Sequence, residues 1–522
     1  MFNSISPYIT KDEPFGPIDS GDIDSSDLNA LLVLFEKHNW IYKNLRSRPS
    51  IIIGRRGSGK TYYLRSVFFD KQYDYYVEIR TPQVLAQVAR VIQKMTAEVV
   101  FPEMVSELWE TILWIGVFLE IRKRDILSAN DLKLVTAYLD KMRVGEGDKV
   151  EDVLWNVANM LDEIMSNNNA PASDLLLGAN KVTFDNARDT VLKNLKSSKK
   201  TFAILMDSLD DFQLDIDSVT RSLQGLLKIV GSMNKPRDVV DIRFCLPSEL
   251  YNQFIQLSSN PNKDFRRALK LQWTAGELVL IGAQRLMFYL ALYYPEFLKK
   301  MSPLDLTKRA DALTLFGAVL PERISNRSGS QEETVSYILR HTQLLPRHFL
   351  ILLNSIFKNP VTNSRVSPFP VSEDRIVTGV SQMEDFMVRE IFVAFKLIYP
   401  TAEETCRRCL PELGHTFTMG ELHRVFTRHG KAVFGSDNLF EFQRMLLEIG
   451  AVGRVIPGKE RDVYIKGNFE YTVQHQLSLS QDDELCLHPL FSGIYHGSGE
   501  HERPVYPYGS VLEDEDYRDG YE

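Results

Sequence analysis

The chain is poor in the features that would mark it as secreted or membrane-spanning. Four cysteines (Cys245, Cys406, Cys409 and Cys486) in 522 residues are too few for a disulfide framework and fit free thiols in a reducing compartment. No run approaches 18 consecutive apolar residues, so no membrane span is expected. Met1 to Asp22 lacks a basic segment followed by an apolar one, so no signal peptide is expected and the default address is the cytoplasm. No internal repeat stands out. A net charge of -8 argues against a surface that grips nucleic acid all over, while leaving room for a local basic patch. Part of that charge sits in an acidic tail, where Glu513, Asp514, Glu515, Asp516, Asp519 and Glu522 crowd together.

What is present is an ordinary globular composition, 44% hydrophobic and 25% charged, in a chain too long for one hydrophobic core. Asp24 to Leu45 has helical periodicity, with Ser25 or Ser26 as N-cap candidates. It leads to Ser50–Ile53, a β-branched run of buried-strand type. Tyr73–Arg80 is predicted as a second strand. From Pro82 to about Lys196 the pattern is helical. Thr201–Met206 and Val239–Leu246 are apolar runs short enough for central parallel strands, with a helix predicted over Ser218–Met233 between them. Helices are also predicted over Gly276–Tyr293 and over Gln331–Phe357 with a break at Pro346. Pro360–Pro370 is the clearest linker. Beyond it, helices over Glu384–Tyr399, Thr418–Arg428 and Ser436–Ile449 precede a hairpin of Val452–Ile456 and Val463–Ile465, the outline of a winged helix.

One motif carries defined chemistry. Gly54-Arg55-Arg56-Gly57-Ser58-Gly59-Lys60-Thr61 matches G-x-x-x-x-G-K-[ST], in which glycines let backbone N–H groups curl around phosphates. A predicted strand precedes it and a helix, Thr61–Phe69, follows, which is the context a phosphate-binding loop needs. The spacing assigns Lys60 to the β- and γ-phosphates of ATP or GTP and the Thr61 hydroxyl to Mg²⁺. Asp207 ends the apolar run AILM, so its carboxylate is expected at the carboxyl edge of a parallel sheet, where a second Mg²⁺ ligand belongs. Asp210 and Asp211 are placed either to orient the attacking water or to cap the next helix. Since 147 positions separate Lys60 from Asp207 (207 − 60), the intervening block is too long for a single crossover and is expected to be a helical insertion.

The row MDSLDDF, with paired acids three and four places after the metal aspartate, resembles the corresponding motif of NACHT, KAP and other STAND-type ATPases and of their ORC/Cdc6-like AAA+ relatives. Segments 271–278 (LQWTAGEL) with Arg285, 341–349 (HTQLLPRHF) and 485–491 (LCLHPLF) resemble those of bacterial P-loop ATPases with C-terminal winged helices that are often encoded in phage-defence loci. The resemblance implies an α/β P-loop NTPase core with a helical insertion, a helical lid and a C-terminal winged-helix domain. The expected divisions are an N-terminal extension (1–25), the core (26–81 and 197–295), the insertion (82–196), the lid (296–359), the winged-helix-like domain (371–497) and the acidic tail (498–522). It also implies Mg²⁺-dependent ATP hydrolysis by a nucleotide-driven switch or motor, with a role in antiviral defence. Ser248 falls at a sensor-1-like position, Arg347 where a lid arginine meets the γ-phosphate, and Arg266 and Arg267 where a neighbouring subunit's arginine finger would lie, so a homo-oligomer is expected. No nuclease, protease or TIR signature is visible, and any effector is expected to be a separate protein.

Two further features carry competing readings. Cys406-x-x-Cys409, with His415 and His423 downstream, has half of a zinc framework, but i and i+3 cysteines on a helix are more often packing residues. Ser436–Ile449 carries Asp437, Glu441 and Glu448 against Arg444 and would repel phosphates. The hairpin after it (Arg454, Lys459, Glu460, Arg461, Asp462, Lys466) is net basic, so DNA contact through this wing is the alternative expectation, in an ORC-like loader.

Overall fold

The computed structural model describes residues 5–23, 27–34, 49–65, 73–94, 102–124, 126–145, 147–150, 152, 181–207, 217–233, 239–258, 260–265, 267–358, 368–457, 464–472, 477–495 and 503–508. The chain forms two compact units, one of residues 39–55 and 60–271, the other of residues 1–38, 56–59 and 272–522.

The first unit is an α/β layer. Strands β1 (Ile51–Gly54), β2 (Tyr75–Ile79), β3 (Phe202–Met206), β4 (Val240–Pro247) and β5 (Ala268–Lys270) form one sheet in the order β2-β3-β4-β1-β5, every neighbouring pair parallel. Every residue of β1, β3 and β4 is buried. β1 and β3 are accordingly apolar throughout, since a central parallel strand has both faces covered and no polar side to alternate with; β4 in addition buries Asp241 and Arg243, and Asp241 Oδ2 accepts from the Tyr73 hydroxyl at 2.7 Å. Helices flank the sheet, among them Thr81–Lys94, Pro102–Arg124 and Asp217–Met233. The last two touch closely at Gly225, where an added Cβ would meet Val105 Cγ1 at 2.5 Å. The Trp109 indole donates to the Ser222 carbonyl at 2.8 Å across the same contact. Within the block expected to be helical, helices span Thr81–Lys94, Pro102–Arg124, Ala129–Lys141 and Lys181–Ser197, while 153–180 lie outside the described residues.

The second unit is mainly helical. Its Ala275–Tyr293 helix begins with a capping box in which Thr274 and Glu277 satisfy each other's backbone N–H groups. This helix is long and apolar enough to cross a membrane by length and composition, yet 61% of its most apolar window is buried within the protein. Its Arg285 is fully buried and donates to the carbonyls of Leu34 (2.8 Å) and Phe15 (2.7 Å), which ties down the N-terminal segment. Burial lowers the Arg285 pKa to about 9.

Several boundaries differ from the sequence expectation. Gln331–Glu333 is strand β7, paired antiparallel with β6 (Arg323–Ser325), not the start of a helix. The turn between them is organised by Asn326, whose Oδ1 accepts from the backbone N–H groups of Ser328 and Ser330. The helix expected from Glu384 runs instead over Glu373–Phe395, because Gly379 lets its first half lie against the Ile356 backbone. The N-terminal helix is seen over Leu28–Leu34, with Asp27 Oδ1 accepting from Ala30 N–H; Ser25 and Ser26 lie outside the described residues.

At the C-terminal end, helices Ala402–Cys409, Met419–Val425 and Leu439–Glu448 accompany a hairpin of β9 (Val452–Val455) and β10 (Ile465–Asn468). Three further strands, β8 (Thr416–Thr418), β11 (Glu484–Leu487) and β12 (Val505–Tyr506), complete a sheet in the order β12-β10-β9-β11-β8. The turn residues Lys459, Glu460, Arg461 and Asp462 and the acidic residues 513–522 lie outside the described residues, whereas 503–508, expected in the tail, are described and include β12.

Candidate nucleotide site

In the α/β unit the sheet order sets the site. Strand β1 ends at Gly54, and the next helix of this unit, Lys60–Arg65, begins at the lysine of the loop motif. Lys60 is 5% exposed, and its Nζ donates to the Arg55 carbonyl at 3.2 Å. Strand β3 ends at Met206, which delivers Asp207 to the carboxyl edge of the sheet. There the Thr61 hydroxyl donates to Asp207 Oδ1 at 3.1 Å, across 146 residues of sequence. Strand β4 lies between β1 and β3, so Ser248, which begins the turn after it, stands at the same edge between the two motif strands. Its hydroxyl donates to Glu249 Oε2 at 3.4 Å. Asp210 and Asp211 lie outside the described residues.

A hydroxyl and a carboxylate are hard oxygen donors of the kind Mg²⁺ takes, and one or two protein oxygens suit an ion that keeps several waters and binds substrate phosphates with the rest. The pair Thr61 and Asp207 therefore fits Mg²⁺. Among the described residues no group of three or more His, Cys, Asp or Glu side chains is placed to hold a metal by itself.

In the helical unit the loop segment Arg56–Gly59 has its own partners. Gly57 and Gly59 have φ of +82° and +87°, a region that side chains disfavour and glycine occupies freely. The Trp273 indole donates to the Ser58 carbonyl at 2.9 Å. Arg347 N–H lies 3.4 Å from the Gly57 carbonyl, and a Cβ on Gly57 would stand 3.0 Å from Arg347 Cβ. The Arg347 guanidinium is paired with Asp19 and, at 3.5 Å, with Glu390. The sequence reading named Arg347 but missed Asp19, Glu390 and Trp273. The first two lie 328 and 43 positions away from it and leave no local pattern, whereas the T-x-x-E capping box beside Trp273 was readable.

The other candidates are more ordinary. Arg267 is 3.7 Å from the buried Asp241 of its own chain, an attachment that suits a structural cation better than a finger offered to a neighbour; Arg266 lies outside the described residues. Cys406 and Cys409 are both buried, with burial pushing the Cys409 thiol up to about 12, and Cys409 Sγ fills the space over Gly430. His415 shares a contact with the Ser492 hydroxyl at 3.3 Å, and His423 is exposed. On the Leu439–Glu448 helix, Arg444 is held by Glu448 at 2.7 Å, so its one basic residue is already engaged.

No family model matches the chain, and no curated protein does. Among solved structures it is similar to the Aeropyrum pernix ORC2 protein in ADPNP-ADP complexes (TM-score 0.35, 14% identity, 87% of this chain and 91% of that one). It is also similar to the A. pernix ORC1 protein in complex with DNA (TM-score 0.32, 12% identity, 89% and 95%) and to the ADP form of ORC2 (TM-score 0.29, 14% identity, 86% and 87%). At such values the assignment of the site rests on the chain's own residues.

Proposed function

We propose that this chain binds ATP with Mg²⁺ and hydrolyses it, working as a nucleotide-driven switch. The observation that supports this most directly is the Thr61–Asp207 pairing at 3.1 Å: two remote motif residues arrive together beside the loop lysine. Backbone N–H groups of Gly54 to Thr61 (Arg55, Arg56, Gly57, Ser58, Gly59 and Lys60 between them) surround the phosphates, and Lys60 neutralises the β- and γ-oxygens. Thr61 and Asp207 would hold Mg²⁺, which when bound would offset the charge developing on the transferred group. Asp210 or Asp211 orients the water. Attack of its oxygen on the γ-phosphorus breaks the bond to the β–γ bridging oxygen and releases ADP, phosphate and a proton. A lid-arginine role for Arg347 rests on the resemblance alone; within the helical unit its guanidinium is engaged by Asp19 and Glu390. Such a switch acts through another copy of the chain or through a separate effector protein.

The test is hydrolysis of ATP and of GTP by the purified chain beside Lys60→Ala and Asp207→Asn. Turnover by the wild type that both variants lose supports the reading; full activity in Lys60→Ala removes it. A second reading, a DNA-associated ATPase whose C-terminal winged helix touches the backbone, draws on Arg454 and Lys466, which lie on the paired strands β9 and β10. The acidic Leu439–Glu448 helix weighs against it. Adding duplex DNA to the same assay separates the two, because stimulation favours the second and indifference the first.

A further inference from the structure

The helical unit contains a cleft apart from every loop-motif residue, with about 530 Å³ of empty space including its open mouth. The β6–β7 turn, the Thr334–Arg340 helix, the Pro489–Tyr495 helix and the start of β12 form its walls. Among the described residues three arginines line it, Arg327, Arg340 and Arg503, and no carboxylate does. The two nearby acids lie behind that lining. Glu332 receives both arms of Arg340 at 2.8 and 2.9 Å and also accepts from Asn326 at 2.6 Å. Glu384 lies 2.9 Å from Arg327 and 2.9 Å from His341 Nδ1; burial pushes its carboxyl up to about 7, so at neutral pH it supplies only part of a negative charge. Among the described residues three cations line the cleft against two acids set behind it.

Two further groups line the cleft. Tyr337 is 1% exposed and His341 4% exposed, and neither the Tyr337 hydroxyl nor His341 Nε2 has a hydrogen-bond partner among the described residues. A buried polar group without a partner costs about 1–3 kcal/mol, and the Tyr337 hydroxyl and a His341 ring nitrogen, in one cleft beside three guanidinium groups, are arranged for a polar, acceptor-rich guest. Guanidinium forks match tetrahedral oxyanions, and phosphate supplies several strong acceptor oxygens at once.

We propose that this cleft binds a small phosphate-bearing molecule, with Arg327 and Arg503 donating to its phosphoryl oxygens at the mouth and the Tyr337 hydroxyl and the His341 ring facing it from the interior. The site is independent of the nucleotide loop. The experiment uses the full chain carrying Lys60→Ala, which weakens phosphate capture at the loop, titrated calorimetrically with pyrophosphate, inorganic phosphate and acetate. The expected result is saturable one-to-one binding of pyrophosphate or phosphate, weakened about tenfold or more by Arg503→Gln, with a smaller loss in Tyr337→Phe. Arg503 is exposed, so its replacement leaves the fold intact, and an unchanged melting temperature checks this. Absence of saturable binding, binding indifferent to Arg503→Gln, or acetate bound as tightly as pyrophosphate would each overturn the proposal.

Discussion

Gly57 and Gly59 provide a paired test of how the phosphate loop holds its shape. Both sit at strongly positive φ, +82° and +87°, where a Cβ costs about 1–2 kcal/mol. Their surroundings differ. A Cβ on Gly59 meets nothing within 4 Å, whereas one on Gly57 stands 3.0 Å from Arg347 Cβ and 3.3 Å from its Cδ. An alanine at either position favours a relaxed loop that ATP must pull back into shape, so the cost appears as lost affinity. For Gly59→Ala that is about 1–2 kcal/mol, or roughly 5- to 30-fold in Kd. Gly57→Ala adds the crowding of a packed neighbour, about 1–3 kcal/mol more, and its Kd is expected to rise from roughly 30-fold to a few thousandfold. Arg347→Ala does not relieve the clash, since its Cβ remains; Arg347→Gly does, restoring part of the binding but not hydrolysis. Titration of a fluorescent ATP analogue into the wild type, the two alanine variants and Gly57→Ala combined with Arg347→Ala or Arg347→Gly reads these values. Wild-type affinity in Gly57→Ala, or equal losses in the two alanine variants, would refute the reasoning.

Other outcomes follow from single contacts. Burial raises the Glu384 carboxyl from the ordinary 4.5 to about 7, against the lowering pull of Arg327 and Arg340, so the folded state keeps a proton that the unfolded state sheds. Its contribution is therefore fully present below pH 4.5 and is lost as pH rises to 7, by roughly 3 kcal/mol at 1.36 kcal/mol per unit; melting curves between pH 5 and 8 should show Glu384→Gln flattening that decline. Gly225→Ala drives a Cβ into Val105 Cγ1 and the Val105 backbone, at 2.5 and 2.9 Å, and is expected to destabilise the α/β unit by about 1–3 kcal/mol, read as a lower melting temperature with no change at the nucleotide loop. Arg285→Met leaves the carbonyls of Phe15 and Leu34 without their donor, a loss of about 1–3 kcal/mol each, and should expose the N-terminal segment to limited proteolysis.

The parts of this protein legible in its sequence are those where one physical demand dictates residue type. β1 and β3 are buried on both faces and so read as Ile-Ile-Ile and Ala-Ile-Leu-Met, whereas β4 carries the buried charges Asp241 and Arg243 within its run. The loop must lack Cβ atoms and so reads as spaced glycines. Asp207 was readable because the end of a buried strand has one direction in which to present a carboxylate. Where the demand is shared, the pattern fails. β5 is a three-residue edge strand with its first and last residues exposed, and β7 is Gln-Glu-Glu, whose inward member is a glutamate held by Arg340 and not an apolar side chain. Its alternation therefore carries no hydrophobic signal. The cleft with Arg327, Arg340 and Arg503 escaped notice for a related reason, since its walls come from segments far apart in sequence.

The hydrogen bond from the Trp273 indole to the Ser58 carbonyl gives the chain a light-emitting gauge of its own. Indole emission responds to the loss of a hydrogen bond and to a change in local polarity, and among the described residues Trp273 is the tryptophan attached to the phosphate loop. A shift in intrinsic fluorescence on adding nucleotide, abolished in Trp273→Phe, would time the movement of the loop in the unlabelled protein.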